Sequence, residues 1–119
     1  MATTQKARYV KISSADSEED RSICGFRRRI IKKDDAAPAS ISHLRIDNAK
    51  PHYHKIAHEY YYVLSGSGHL IIDGDRVPLA SGDCVWIKPY AVHHAEGDNL
   101  ESLIIGIPPF DLADQYYPE

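Results

Sequence analysis

The sequence predicts an all-β fold, either a barrel or a double-sheet jelly roll. Three observations predict it. Short runs of β-branched and aromatic residues alternate with turns rich in Gly, Pro and Asp, which is typical of β-strands. No segment shows the 3.6-residue apolar period of a convincing helix. Candidate ligand residues also lie in two distant stretches, 52–59 and 84–94, which a barrel would bring together.

Length and composition agree with a single β domain. A chain of 119 residues is expected to bury roughly two-thirds of its unfolded surface. The net charge is −3 and basic residues cluster only at 27–29 and 32–33, so nucleic acid is not expected as a partner. No apolar stretch approaches the roughly 20 residues of a membrane span, and the first residues lack the apolar region of a signal peptide. We therefore expect a cytoplasmic protein with no membrane partner, in which Cys24 and Cys84 are free thiols.

The chain is predicted to divide at residue 22. Residues 1–22 form an N-terminal segment with one short strand at 9–12 and a polar, acidic loop at 13–20. Residues 23–119 form a single barrel with a C-terminal tail. The tail contains one Phe and two Tyr after Pro109, so we expect it to pack on the domain or on a neighbouring subunit.

The first two strands of the barrel are predicted at 23–31 and 40–47, with a turn between them that contains two Asp and one Pro. Alternation along the first strand places Arg28 on the same face as Phe26. Arg28 therefore lies either at the open end of the sheet or against a ligand. The open end is the simpler interpretation, because long Arg side chains extend readily out of apolar surfaces.

The segment that follows the predicted strand at 40–47 contains three candidate metal ligands. His52 and His54 point the same way on an extended chain, with Cα atoms roughly 6.6 Å apart, so their imidazoles can converge on one ion. Glu59 follows after a four-residue bend, and a hairpin would carry its carboxylate back beside the imidazoles. Borderline and hard metal ions accept this mixture of ligands.

Residues 60–64 are predicted to continue as a strand that is covered on both faces, because the run is apolar and aromatic throughout. Alternation places Tyr61 on the face of Glu59 and His58 on the opposite face. Tyr61 is thus the best candidate for a catalytic acid or base beside the site, and the alternative is that it only packs in the barrel. His58 is left out of the ligand set.

The second half of the chain is predicted to contain four further strands, at 69–72, 76–79, 84–88 and 100–107. Residues 66–68, Gly-Ser-Gly, are predicted to turn the chain before the first of them, and Asp-Gly-Asp at 73–75 indicates a tight hairpin. Pro108 and Pro109 end the last strand.

A fourth candidate ligand comes from a second stretch. This stretch contains a turn at Gly82, then an apolar run, then Pro89, and it ends with the pair His93 and His94. Adjacent residues on a strand face opposite ways, so one of these histidines can bind a metal that the other cannot. The residues alone leave the choice open.

Together the two stretches resemble the motifs of the cupin superfamily. The first cupin motif runs Gly, five residues, His-x-His, three or four residues, Glu, six residues, Gly. The chain matches it at His52, His54, Glu59 and Gly66. The second motif runs Gly, five residues, Pro-x-Gly, two residues, His, three residues, Asn. The chain matches it at Gly82, Pro89 and His94.

The chain also departs from these motifs at several positions. Ile46, Ala91 and Asp98 stand where the motifs have Gly, Gly and Asn, and one extra residue lies between Gly82 and Pro89. None of these departures removes a ligand. The motifs span residues 46–98, and the predicted strands on either side continue the pattern.

The resemblance implies a cupin-type double-stranded β-helix, or jelly-roll barrel, with one divalent metal ion in its interior. The family spacing after Ala91 selects His94 rather than His93 as the last ligand. The implied ligand set is His52, His54, Glu59 and His94. Because these ligands suit Fe, Mn, Ni, Zn, Cu and Co alike, the metal is not distinguished.

The ligand set predicts a chemistry. Three neutral imidazoles and one carboxylate leave a divalent ion with a net charge near +1 and, if it is octahedral, two open positions. Such a site favours a small-molecule substrate that is anionic or chelating. We expect a metalloenzyme acting on a small oxygen-rich metabolite, with a dioxygenase-type oxidoreductase as the first hypothesis and an isomerase or decarboxylase as the alternative.

Two other hypotheses remain. In one, the domain binds a metal or a sugar-like ligand without transforming it. In the other, the histidines are structural and no metal binds. The resemblance also suggests a homodimer, since small cupins are often dimeric, and the aromatic side chains of Tyr60, Tyr62 and Trp86 support this expectation.

Overall fold

The computed structural model describes residues 8–119. Within them the chain forms seven strands: β1 Glu19–Ser22, β2 Gly25–Ile31, β3 Ser40–Ile46, β4 His58–Ile72, β5 Asp75–Ala80, β6 Cys84–Ile87 and β7 His93–Ile107. Three short 3-10 turns lie at Ser14–Asp16, Lys33–Asp35 and Leu112–Asp114. The prediction of an all-β barrel is confirmed.

The paired strands are antiparallel, in the order β1-β2-β3-β7-β4-β5, and β6 also pairs with β4. β4 is the centre of this arrangement because it pairs with β7 along almost its whole length. Its first half also pairs with β6, and its second half with β5. β3 extends the sheet from the second half of β7. The start of β4 therefore lies between β6 and the second half of β7, whereas the start of β7 pairs with the end of β4 and, through His93, with His52.

The chain does not reverse at residues 66–68 as predicted, and β4 continues through them to Ile72. Pairing with β7 shifts register between Val63 and Ser67, and Gly66 has a φ of +80°, so the strand bends there rather than reversing. A Cβ atom on Gly68 would lie 2.1 Å from the backbone oxygen of Glu96 on β7. The glycines thus allow two long strands to approach each other closely.

The N-terminal segment differs from its prediction in where its strand forms. Residues 9–12 have no regular secondary structure, whereas β1 begins within the stretch predicted as an acidic loop. β1 forms because β2 supplies basic partners across the hairpin, and Arg27 Nε donates to Asp20 Oδ1 at 2.9 Å. Residues 1–7 lie outside the described part, and the domain division at residue 22 stays a prediction.

The apolar core fills the barrel and reaches the candidate site. Val63, Leu70 and Leu100 are fully buried, and Tyr61 packs in the same cluster. The C-terminal tail packs on the domain itself, where the ring of Tyr116 stacks on Tyr53 at a centroid distance of 5.5 Å. None of the helical turns in residues 8–119 has the length and apolar character needed to cross a membrane.

Candidate metal centre

Four buried side chains meet inside the barrel: His52, His54, Glu59 and His93. One ligand atom from each lies within 4.8 Å of the others. Glu59 Oε1 lies 3.0 Å from His93 Nε2 and 3.3 Å from His54 Nε2. Two backbone hydrogen bonds between His52 and His93, of 2.9 and 3.1 Å, hold the two ligand stretches together. The cluster therefore joins residues that are distant in the sequence.

The three imidazoles are oriented by backbone carbonyl groups. In each ring Nδ1 lies within hydrogen-bond distance of a carbonyl oxygen, which can only accept. Nδ1 therefore carries the proton, and in the neutral ring Nε2 presents its lone pair. The distances are 2.9 Å from His52 to Lys50, 2.7 Å from His54 to Asp114 and 2.9 Å from His93 to Ala91.

His54 Nε2 is the atom that most clearly indicates a ligand. It is buried, and the geometry of its 3.3 Å approach to Glu59 leaves it without a hydrogen-bond partner among the described residues. A buried polar atom without a partner is rare, because it has given up its bonds to water. A metal ion would accept this lone pair together with those of the other members of the cluster.

The electrostatics of the cluster favour the metal-binding forms of Glu59 and His52, whereas His54 must give up a proton that Glu59 stabilises. Burial alone would raise the pKa of Glu59, but the imidazoles of His54 and His93, whose Nε2 atoms lie 3.3 and 3.0 Å from its Oε1, outweigh burial and hold this pKa below its usual range. Burial and the neighbouring His93 lower the pKa of His52 to about 4. Burial opposes a charge on His54 as well, yet Glu59 outweighs it and raises the pKa of His54. At neutral pH Glu59 is thus ionised and His52 is neutral, the forms that bind metals.

The structure brings His93, and not His94, into the cluster. The side chain of His93 is 1% exposed and faces the interior at the start of β7. His94 is the next residue along the strand, so it faces the other way, and its Nε2 lies 3.9 Å from Glu96. The family spacing counted from Pro89 selected His94. Because this chain has one extra residue between Gly82 and Pro89, the same motif counted from Gly82 selects His93, and this disagreement was the signal in the sequence. We therefore replace His94 by His93 in the proposed ligand set.

Tyr61 lies beside the cluster, as alternation along its strand predicted. Its ring meets that of His93 edge to face at a centroid distance of 6.2 Å, and it lines a cavity next to the cluster. Burial, together with Cys24 and Glu59, raises the pKa of Tyr61 well above its usual value. Tyr61 is therefore a neutral phenol. His58 lies outside the cluster, where its Nδ1 accepts a hydrogen bond from Trp86.

The cavity next to the cluster has a volume of about 60 Å³ and is lined in part by residues that the sequence did not indicate: Cys24, Arg27, Ser40, Ser42, Phe110 and Gln115. Arg28, considered as a ligand contact, donates instead to the carbonyl oxygen of Ser17. Arg27 pairs across the sheet with Leu44, whose side chain is buried in the interior. Cys24 lies in the hairpin turn before β2, so the alternation of side chains along the strand begins at Gly25.

Asp114 connects the C-terminal tail to the cluster. Its carboxylate accepts hydrogen bonds of 2.9 to 3.2 Å from the backbone N–H groups of residues 55–57. Its carbonyl oxygen accepts the 2.7 Å hydrogen bond from His54 Nδ1. The tail therefore shapes the bend between His54 and Glu59. This support was not predicted, because the partners lie more than fifty residues apart.

Replacing Asp114 by Ala is expected to lower the free energy of unfolding by about 3 kcal/mol, because three N–H groups lose a charged acceptor. We also expect metal affinity to fall by about 10- to 100-fold, since the bend between His54 and Glu59 loses the carboxylate that holds it. Denaturant unfolding and metal titration measure the two effects. Asp111 is the matched control. It caps the 3-10 turn Leu112–Asp114, to which Asp114 belongs, but it pairs with Lys33 at the surface. An equal loss of metal affinity in Asp111→Ala would contradict a specific role for Asp114.

Comparison with known families agrees with the sequence motifs. The family model described as cupin domain matches residues 47–104, which contain all four residues of the cluster. An uncharacterized protein of Methanocaldococcus jannaschii is 30% identical over 66 residues. This match covers 53% of the present chain and 53% of that protein, so it spans about half the length of the relative.

Solved structures resemble the whole domain. A protein from Planctomyces limnophilus has a TM-score of 0.87 and 28% identity, over 93% of this chain and 98% of that one. The nucleoside dehydratase Pac13 of Streptomyces has a TM-score of 0.82 and 18% identity, over 93% and 92% of the two chains. Ectoine synthase of P. lautus has a TM-score of 0.76 and 15% identity, over 93% and 91%. The last two likenesses show a shared fold.

Proposed function

Because the chain belongs to the cupin superfamily, as its motifs indicated, we propose that it is a metal-dependent enzyme acting on a small oxygen-rich metabolite. The buried Nε2 of His54, which has no hydrogen-bond partner among the described residues, carries the proposal. It lies in a set of three imidazoles and one carboxylate, which fits a single divalent ion. Fe, Mn, Ni, Zn, Cu and Co all suit this set.

Each residue of the site has a distinct role in this proposal. His52, His54, Glu59 and His93 hold the ion, which would supply Lewis acidity at positions that the protein leaves open. Tyr61, kept protonated by burial, donates a hydrogen bond to a substrate oxygen in the cavity. The ring of Phe110, 6.3 Å from that of His54, forms an apolar part of the cavity wall beside the ion.

A dioxygenase-type oxidation is the reaction that we propose first. Three neutral ligands and one carboxylate would leave a divalent ion with a net positive charge. An octahedral ion would also have two open positions, one for the substrate and one for dioxygen. A proton-transfer reaction such as isomerisation, dehydration or decarboxylation is the second candidate. The phenol of Tyr61, which could donate a hydrogen bond to an oxyanion formed in such a reaction, and the fold shared with the dehydratase Pac13 support it. Oxygen uptake separates the two reactions.

The test begins with elemental analysis of protein purified without added metal. Oxalate is then titrated by calorimetry into the metal-loaded protein and into the metal-free protein. We expect binding only to the loaded form, because a chelating anion needs the open positions of the ion. Equal heats from both forms would contradict this proposal. Binding without turnover of any oxygen-rich metabolite would instead favour a non-catalytic binding domain.

We also propose that the protein is a cytoplasmic homodimer. Its outer sheet face carries Trp86 and Tyr62, which are 51% and 40% exposed, and such aromatic patches commonly mark interfaces. Cys24 and Cys84 are both unpaired, as is usual in a reducing compartment. Sedimentation of the wild type and of Trp86→Glu tests the dimer, and a monomeric wild type would contradict it.

A further inference from the structure

A second cavity adjoins the one beside the candidate metal centre. The inner cavity of about 60 Å³ has room for only about four to six water molecules. The outer cavity has a volume of about 470 Å³. The residues that line both, and so form the neck between them, are Ser22, Ile23, Arg27, Phe110 and Gln115. A ligand of metabolite size therefore places a small head in the inner cavity and its remainder in the outer one.

The charged side chains that line the outer cavity are cationic. Within residues 8–119 they are Arg21, Arg27 and Lys50. Arg21 and Arg27 each pair with a carboxylate that does not line the cavity, Asp47 and Asp20. A cleft lined by one sign of charge attracts ligands of the opposite sign. Anionic ligands are therefore favoured at this entrance.

Arg27 is the only one of the three cationic residues that also lines the inner cavity. Its guanidinium group is held in place by Asp20, which accepts hydrogen bonds of 2.9 and 3.5 Å, and by the ring of Phe110, whose centroid lies 5.4 Å away. Two of its five N–H groups are used in this way. In the described part of the chain, the other three have no hydrogen-bonded protein acceptor. Arg27 is thus positioned in advance and has donors left for a ligand.

We propose that the substrate carries an ionised carboxylate or phosphate group in addition to its metal-binding oxygens, and that Arg27 binds this group at the neck between the two cavities. A guanidinium group binds both kinds of anion through two parallel hydrogen bonds. The inference rests on the proposed function, since it places the other end of the substrate at the metal centre. It makes Arg27 the residue that determines specificity.

Pairs of probes that differ in one charge test this inference by calorimetry on metal-loaded protein. 3,4-Dihydroxybenzoate and 3,4-dihydroxybenzamide present the same catechol oxygens, and both ring substituents withdraw electrons, but only the first substituent is ionised. 2-Oxoglutarate and 2-oxopentanoate form a second, flexible pair. Both present the same 2-oxo acid oxygens, but only 2-oxoglutarate carries a second ionised carboxylate. We expect the wild type to bind the charged member of at least one pair about 10- to 100-fold more tightly. (3,4-Dihydroxyphenyl)phosphonate then shows whether phosphate or carboxylate is preferred.

Arg27→Gln is expected to abolish this preference while the affinity for the uncharged probes stays the same. Arg29→Gln is the matched control, because it makes the same change of charge. Arg29 also lies near Asp20, with Nη2 3.7 Å from Oδ2, but Arg29 lines neither the inner nor the outer cavity. Arg27→Lys keeps the charge without the two parallel donors, so we expect an intermediate preference.

The outcomes separate the two proposals. Equal affinity of the wild type for both members of both pairs would overturn the role of Arg27, and this result needs no variant. A loss of preference as large in Arg29→Gln as in Arg27→Gln would also overturn it, because the effect would then be one of general charge. If none of the probes binds the metal-loaded protein, the proposed function fails instead.

Discussion

Replacing His93 by Ala is expected to remove the metal from the purified protein, whereas His94→Ala is expected to keep about one ion per chain. The side chain of His93 is 1% exposed and its Nε2 contacts Glu59 inside the cluster. That of His94 is 25% exposed and lies near Glu96. Loss of one of four ligands should cost more affinity than the roughly 10- to 100-fold typical of residues that only support a ligand. Elemental analysis after dialysis against metal-free buffer measures the effect.

Two control variants accompany the comparison of His93→Ala with His94→Ala. His58→Ala removes a histidine from the outer face, where it contacts Trp86, and should leave the metal content unchanged. His93→Gln fills more of the buried space than Ala, so it separates loss of a ligand from loss of packing. If His94→Ala lost the metal while His93→Ala kept full occupancy, the choice from family spacing would be restored and the cluster would not be the metal site.

Removing the metal with a chelator is expected to lower the melting temperature by about 10–20 °C. The ligands come from the segment 52–54, the start of β4 and the start of β7, so only the native state brings them together. A metal that binds only the native state stabilises it by about 4 kcal/mol at a thousandfold excess over the dissociation constant. For a domain of this size, each kcal/mol corresponds to roughly 3–5 °C. Scanning calorimetry at several metal concentrations measures the shift.

Glu59→Gln provides the control for this second prediction. It keeps the shape of the side chain but removes the ionised carboxylate that contacts His54 and His93, so its melting temperature should depend little on metal concentration. A preparation of wild type that has verifiably lost its metal and still melts at the same temperature would contradict the prediction. The site would then contribute no net stability.

Much of the centre followed from local spacing. His52 and His54 are two residues apart on extended backbone, and Glu59 follows after one short bend, so the geometry of a single segment brings their side chains together. Alternation from Glu59 also placed Tyr61 beside the site and His58 on the outer face. These relations depend on a few neighbouring residues, and distant contacts do not alter them.

Relations between segments were harder to predict. Parity shows only that His93 and His94 face opposite ways, and the face that meets the cluster was decided by the pairing of β7 with β4 and with His52. Arg27 was missed for a similar reason. Alternation places it on the face opposite Phe26 and Arg28, but which face lines the cavity depends on the pairing of β2 with β3. A shift of one residue moves every side chain of a strand to the other face.

The sequence by itself therefore determined the all-β barrel and three members of the centre, since hydrophobic alternation and short spacings are properties of the local backbone. Tertiary structure alone decided which histidine completes the cluster, which arginine lines the cavity, and that Asp114 supports the bend before Glu59. The physical reason is that strand register, bulges and turns set these contacts, and each depends on hydrogen bonds between residues far apart in the chain.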